Sequence, residues 1–555
     1  MEPMSLEPGS VLPLVREVIG SPDPLALYRV LSEGGRRAGS FLLESAATGS
    51  HSGQRSILGV GNALRITCVD HTVSVDSLSA NGRSILPWIA ERLAGLRNDE
   101  EPGPAAGPLV SVSDGSIRAD FPRPPAGCRD ETARGKLLSP LDALRTIVFG
   151  VRLLAHPIDC CHLAAGVFSY DLVDLFEHLP SGKPEKKPTP HFEFVVPDRL
   201  VIVDHLRHRT MLVANAYGGH GADSNYHDAM RAIGDLLSAV QGAFERHVTK
   251  GERRPEDKKE PLLPARPTLN SDCAVDVADA EYADLVLSLK RRIVAGDVFQ
   301  IVASRTFTVP CPDPLAAYGE LRRTDPSPYL FYVVGNDSVV FGASPETAVK
   351  VRGVPRRMTV RPIAGTAQRG RTRDGTIDQD LDARREAALR LDEKEMAEHM
   401  MLVDLARNDV ARVSRPGTRE VTRLLTVDRY AHVMHLVSEV EGVLADDTDA
   451  LHAYAAAMNM GTVVGAPKIR AAQILREVEA SRRGAYGGAV GYVDHDGGMD
   501  TAIVIRAAVV REGTASVRAG AGIVFDSDPA SEAQETRRKA LAVLQAIAAA
   551  RGSDD

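Results

Sequence analysis

Cysteine is scarce. The 555 residues hold six thiols, Cys68, Cys128, Cys160, Cys161, Cys273 and Cys311, with no CxxC pair among them. That excludes a disulfide framework and offers no zinc-type spacing. The adjacent Cys160 and Cys161 of HPIDCCHLAAG read as small buried hydrophobes despite two nearby histidines. No apolar run approaches the ~18–20 residues that cross a bilayer, and Met1–Ser10 lacks a basic-then-apolar signal pattern. The expected address is the cytoplasm, without membrane contact. A basic surplus is missing too: 66 Lys and Arg face 74 Asp and Glu, for a net charge of −8, so nothing favours counterion displacement from nucleic acid. GxxxxGK[ST], HExxH and GxSxG do not occur, which removes the support for P-loop, zinc-protease and α/β-hydrolase chemistry.

What is present is an ordinary globular composition, 44% hydrophobic and 25% charged, in a chain too long for one core. The charged, proline-bearing stretch His247–Asn270 reads as a linker between an N-terminal part, 1–246, and a C-terminal part, 271–550. Asn98–Gly107 and Ser181–Pro190 read as surface loops. Strand-like runs (Leu64–Val69, Leu200–Val203, Thr210–Asn215, Tyr329–Val334, Ser338–Phe341, Ala489–Tyr492, Thr501–Val510, Ala515–Ala519) are mixed irregularly with helical ones (Tyr226–Arg246, Ala280–Ala295). A last helix starts at Asp528-Pro529 and runs to Ala550. The irregular mixture predicts an α+β fold, not a regular βαβ winding.

Two glutamate pairs carry the first chemical signal. Glu395 and Glu398, and Glu532 and Glu535, each lie three apart on a predicted helix, hence on one face. If the faces meet, four carboxylates converge and call for a cation. Oxygen donors without a His/Cys cluster suit Mg²⁺. Exposed acids in a first helical turn have the same spacing, so spacing alone leaves both readings open. His435 sits in the apolar run RYAHVMHLVSEVEG, either as a core histidine or as a proton-transfer group. Arg506, in the apolar strand-like DTAIVIRAAVV, needs a carboxylate partner, from substrate or protein. Ala364-Gly365-Thr366 and Gly520-Ala521-Gly522 are turns or tight strand ends whose N–H groups could face an anion.

Taken in order, GDVFQIVASR, PSPYLFY, FGASPE, RPIAGT, DEKEMAEHMMLVDLARND, VDRYAHVMHLVS, MNMGTVVGAPKIRA, RRGAYGGAVGY, TAIVIRA and AGAGIVFDSDPASEAQETRRKA resemble the chorismate-binding enzymes, and among them the large subunit of anthranilate synthase. FLLESA, ALRIT and GVFSYDLVDLFEHLP extend the resemblance into the N-terminal half. The resemblance implies a two-lobed α+β fold with facing antiparallel sheets and chorismate with Mg²⁺ between them. Glu398 and Glu535 resemble the metal ligands, supported by Glu395 and Glu532. Gly365 and Thr366 resemble the ring-carboxylate side of the site. Tyr486, Arg506 and Gly520, Ala521 and Gly522 resemble the group around the enolpyruvyl carboxylate, with Lys539 assisting. Glu346 resembles the acid that protonates the departing 4-hydroxyl, and His435 the base that takes the C2 proton, with Thr462 close by.

The same resemblance separates reactions. Relatives that add water carry lysine where this chain has Gln300, and relatives that aminate at C4 carry lysine where it has Ala364. Amination at C2 by ammonia is the expectation, followed by pyruvate loss to give anthranilate. Val464 stands where relatives have serine, and Ala367 and Gln368 replace Arg and Pro. A variant reaction that stops at 2-amino-2-deoxyisochorismate is the alternative, and a catalytically silent binding subunit is a third. No cysteine sits in a GxCxG-like context, so ammonia is expected from a separate glutamine amidotransferase subunit in a hetero-oligomer. Glu44 and Ser45 of LLES, with Pro328, Tyr329 and Leu330, resemble a feedback site for tryptophan as inhibitor.

Overall fold

The computed structural model describes residues 6–45, 55–97, 107–124, 135–180, 182–183, 189–249, 273–372, 374–430 and 433–552. Most of the expected linker, much of the two expected loops, and Cys128 lie outside them. Among the described residues 24 strands join in one hydrogen-bonded sheet, so the two halves of the chain share a framework.

The trunk of that sheet is the strand Arg55–Val69, paired antiparallel with Phe192–Asp204. Two arms grow from it. One runs from Phe192–Asp204 through Leu163–Phe168, Ala489–Asp494, Met499–Ile503, Thr347–Arg352 and Arg357–Val360 to Val433–Val443. Ile363–Gln368 and Glu420–Arg429 also pair with that last strand. The other arm runs from Arg55–Val69 through Phe41–Glu44, Tyr329–Val334, Val339–Ser344, Ala507–Arg511 and Thr514–Ile523 to Gln300–Pro310. Each arm therefore interleaves strands from both halves. The halves are also packed together: Phe168 and Tyr454, both buried, stack with ring centroids 4.1 Å apart, and aromatic pairs of this kind contribute about 1 kcal/mol beyond area burial.

The two arms meet at one point. Val339–Ser344 belongs to one arm and Thr347–Arg352 to the other, with only Pro345 and Glu346 between them. Met499–Ile503 and Ala507–Arg511 are split the same way by Val504, Ile505 and Arg506. The expected continuous strand Thr501–Val510 is thus two strands. The break falls at Arg506, whose φ is +49°. Backbone bonds tie the crossings together: Ala343 N–H donates to Arg506 O (3.1 Å) and Ile503 N–H to Glu346 O (3.0 Å).

Helices cover the outer faces. Asp279–Val294 and Ala222–Thr249 match the helical periodicities. Pro529–Arg551 begins as expected, with the Asp528 carboxylate accepting from Ser531 N–H (2.9 Å) and proline in the first turn. Glu393–Ala411 is capped by Asp392, which accepts from Glu395 N–H (3.0 Å). Gly365 and Gly520–Gly522 lie inside the strands Ile363–Gln368 and Thr514–Ile523, not in turns. Cys160 and Cys161 are buried and unbridged, as their apolar context implied.

Candidate active site

The two glutamate pairs face one another from the first two turns of the helices Glu393–Ala411 and Pro529–Arg551. Burial raises the carboxyl of Glu398, and Glu395, Glu532 and Glu535 raise it further against the opposing pull of Lys394. Burial likewise raises Glu395 and Glu532, with Glu535 adding to each. Glu535 is the exception. Burial raises it, but Lys539 (2.9 Å) and Arg538 (3.7 Å) outweigh that and hold it below the ordinary value. Among the described residues no three His, Cys, Asp or Glu side chains close into a metal-binding group. The donor set nevertheless suits a hard cation: oxygen ligands only, in mutual repulsion, with lysines as the present counter-charges.

Gly365 abuts this cluster. At φ +86° it lies so close that a Cβ there would be 3.3 Å from Glu395 Oε2, a place only glycine takes without strain. The buried His399, one residue beyond Glu398, lies 2.6 Å from Ser438 Oγ and 3.3 Å from Ala364 O, fixing the helix against the strand. Next along that strand, Thr366 Oγ1 is 2.8 Å from His435 Nδ1. His435 is buried, and burial together with Arg506 depresses its pKa to about 4. It is a neutral imidazole at physiological pH, in the state to accept a proton.

Glu346 and Arg506 arrive together because they occupy the two crossings between the arms. Glu346 is buried (7% exposed), and burial pushes its pKa up to about 8. Lys539, Arg506 and the Thr462 hydroxyl only partly offset this. Thr462 Oγ1 is itself buried and closes no hydrogen bond of full geometry. Lys539 Nζ donates to Gly520 O (3.1 Å) as well as pairing with Glu535. A Cβ at Gly520 would stand 2.9 Å from Tyr486 Oη, and one at Gly522 2.9 Å from Gln300 Nε2. Glycine at both positions keeps this strand face open beside Tyr486 and Gln300. Gln300 Oε1 is buried without a hydrogen-bond partner. Ala521 pairs with Ala303 between these two glycines. The neutral acid Glu346 and the neutral base His435 thus share Arg506 as a charged neighbour, and Lys539 links Glu346 to the acidic cluster through Glu535; this neighbourhood is the candidate cleft.

Residues 127–545 match the family described as chorismate binding enzyme. The chain belongs to the chorismate-binding enzymes. It is 45% identical over 525 residues to anthranilate synthase component 1 of Vibrio cholerae, covering 95% of this chain and 94% of that protein. To the pyocyanine-specific anthranilate synthase component 1 of Pseudomonas aeruginosa it is 44% identical, covering 95% and 93%. The crystal structure of anthranilate synthase component I from Streptococcus pneumoniae superposes with a TM-score of 0.62 at 26% identity, over 90% of this chain and 94% of that one.

In this chorismate-binding enzyme the segments singled out for tryptophan also come together. Phe41–Glu44 pairs with Tyr329–Val334, placing Glu44 opposite Leu330. Glu44, Ser45, Tyr329 and Leu330 line one cavity of about 1120 Å³, separate from the carboxylate cleft. Pro328 is buried beside it in sequence. The Glu44 carboxylate is already engaged, accepting from Tyr318 Oη (2.6 Å) and Arg322 Nη2 (3.0 Å). Tyr329 Oη donates to Asp500 (2.9 Å) and lies 3.0 Å from Thr347 Oγ1, next to Glu346.

Two features escaped the sequence reading. Asp325 lies 3.7 Å from Arg506, so this arginine has a protein partner as well as a place in the cleft. Glu479, Arg483 and Arg518 form a buried ion cluster behind Tyr486. Arg483 stood in the motif string RRGAYGGAVGY and Arg518 one residue before AGAGIVFDSDPASEAQETRRKA, but nothing in their spacing marked them as partners.

Proposed function

We propose that this chain is the chorismate-aminating subunit of an anthranilate synthase, converting chorismate and ammonia to anthranilate and pyruvate through 2-amino-2-deoxyisochorismate. The observation that carries the reading is that Glu346, kept protonated by burial, and the neutral His435 lie on either side of the same arginine, Arg506. Amination needs an acid for the departing hydroxyl, and elimination needs a base for the C2 proton. Two groups pushed in opposite directions supply both at one pH.

Thr366 and the Gly365 backbone take the ring-carboxylate side. Arg506, Lys539, Tyr486 and the Gly520–Gly522 strand take the enolpyruvyl carboxylate. Ammonia adds at C2 as Glu346 gives its proton to the 4-hydroxyl, which leaves as water. The unpartnered Gln300 Oε1 accepts an N–H of the nucleophile, where a lysine would act on water. His435 then removes the C2 proton, the ring becomes aromatic and enolpyruvate departs as pyruvate. Glu398 and Glu535, supported by Glu395 and Glu532, would hold Mg²⁺, which neutralises the ring carboxylate and polarises the ring when bound.

Ammonia comes from a glutamine amidotransferase subunit. The described cysteines support this: Cys68, Cys160, Cys161, Cys273 and Cys311 all have thiols raised by burial, the opposite of an activated nucleophile. Segment 1–246 supplies one wall of a tryptophan cavity and segment 271–550 the catalytic cleft. The Asp325–Tyr329 segment touches Arg506 at one end and lines the cavity at the other, a physical route for feedback. Among the described residues no helix is long and apolar enough to cross a membrane, and we place the enzyme in the cytoplasm. The test is product identification by mass after incubation with chorismate, ammonium and Mg²⁺. Anthranilate and pyruvate are expected. Accumulation of 2-amino-2-deoxyisochorismate would favour the truncated reaction, with the fully buried Val464 the first residue to revert to serine. No consumption of chorismate would refute the reading.

A further inference from the structure

We propose that Arg483 is a positioning residue for the chorismate cleft, holding the strand of Gln300, the turn of Thr462 and the ring of Tyr486 in one frame. What the frame serves rests on the reading above; the frame itself rests on geometry. The Arg483 side chain is 2% exposed. Its Nη1 donates to Val463 O (2.6 Å), the residue after Thr462, and its Nη2 to Val302 O (2.6 Å), two residues beyond Gln300. Its guanidinium carbon lies 5.6 Å from the centre of the Tyr486 ring and 4.7 Å from that of Tyr170. Three elements that reach the cleft are therefore referenced to one planar group.

That group is itself locked. Glu479 accepts from Arg483 Nε (2.9 Å) and Nη2 (2.7 Å) and from Arg518 Nη2 (2.9 Å). It also accepts from Ser304 N–H (2.9 Å) and Ser304 Oγ (2.7 Å). Arg518 Nε donates to Ser304 Oγ (2.8 Å), closing the cluster on the Gln300–Pro310 strand. A buried ion cluster is a poor source of stability, because an apolar filling of equal volume does as well. What it supplies is fixed donor directions, which a guanidinium fork gives and an ammonium does not.

The test compares Arg483→Lys and Arg483→Met in the full chain, by steady-state kinetics with ammonium and Mg²⁺, thermal melting, and a crystal structure of the lysine variant. Displacing reacting groups by about 1 Å costs up to ~100-fold in rate. The expected result is a fall in kcat of roughly 10–100-fold for both variants, with KM for chorismate moving less than about threefold. Lysine should fail to rescue although it keeps the charge. A lowered Tm with unchanged kcat would show a merely structural role and overturn the inference. A lysine-variant structure with Gln300, Thr462 and Tyr486 in their original places would overturn it whether or not chorismate is turned over. A wild-type protein inert toward chorismate would instead refute the functional reading, and the displacement would still decide the role of Arg483.

Discussion

Glu346 offers the sharpest test, because its environment fixes both a rate and a stability. Its carboxyl is raised from 4.5 to about 8 by burial, which corresponds to about 5 kcal/mol against the ionised form. At pH 7 about nine molecules in ten hold the proton, and at pH 9 about one in ten. With His435 depressed to about 4, the acid and base are both in their working states between about pH 4 and about pH 8. The profile of kcat/KM for chorismate should therefore be flat across neutrality and fall above about pH 8. The assay follows anthranilate fluorescence at saturating Mg²⁺. Ammonium is adjusted so that free ammonia is equal at every pH, since the nucleophile would otherwise mask the falling limb. Glu346→Gln should lower kcat by roughly 10²–10⁴-fold and abolish the limb. The same substitution should alter stability in a defined direction. Between pH 4.5 and about 8 the native protein holds a proton that the unfolded chain has released, so stability falls as pH rises, by about 3 kcal/mol at pH 7. Glutamine has no such proton, and urea unfolding should show the gap between variant and wild type moving in the variant's favour from pH 5 to pH 8. A kcat/KM that stays level to about pH 9 at constant ammonia, or a glutamine variant within about threefold of wild type, would refute the assignment.

Glu398→Gln and Glu535→Gln should each abolish turnover and weaken Mg²⁺ binding by calorimetry while leaving the circular dichroism unchanged; full activity of either, or of the wild type in excess chelator, would sink the metal assignment. His435→Ala should separate the steps, accumulating 2-amino-2-deoxyisochorismate with little anthranilate by mass analysis, because the acid and the cation site stay in place. Tryptophan should raise the apparent KM for chorismate, and Ser45→Phe, which fills the cavity beside Glu44, should remove that effect with basal turnover nearly unchanged. A saturation curve unmoved by tryptophan in the wild type would defeat the feedback reading.

The parts that sequence by itself determined are those that obey a local rule. Asp528-Pro529 announces a helix start because a cap and a proline act within one turn. The glutamate pairs share a face because three residues is nearly one helical turn. The strands Tyr329–Val334 and Val339–Ser344 were legible, to within a few residues, from their runs of β-branched and aromatic residues. The family motifs singled out the candidate site residues one by one. Tertiary structure decided what each of those residues is chemically. Nothing local distinguishes Glu346 from a surface acid; it stays protonated because two sheet arms cross around it. Nothing in TAIVIRAAVV marks Arg506 as a break, since an apolar run suits one strand or two. The break is set by partners more than 150 residues earlier, with Gly342 opposite Ala507 and Thr347 opposite Ala502. The division at residues 247–270 likewise hid the pairing of Leu163–Phe168 with Ala489–Asp494. Periodicity records which face a side chain takes, whereas burial, and with it charge state and pairing, comes from segments far apart in the chain and is settled only when they pack.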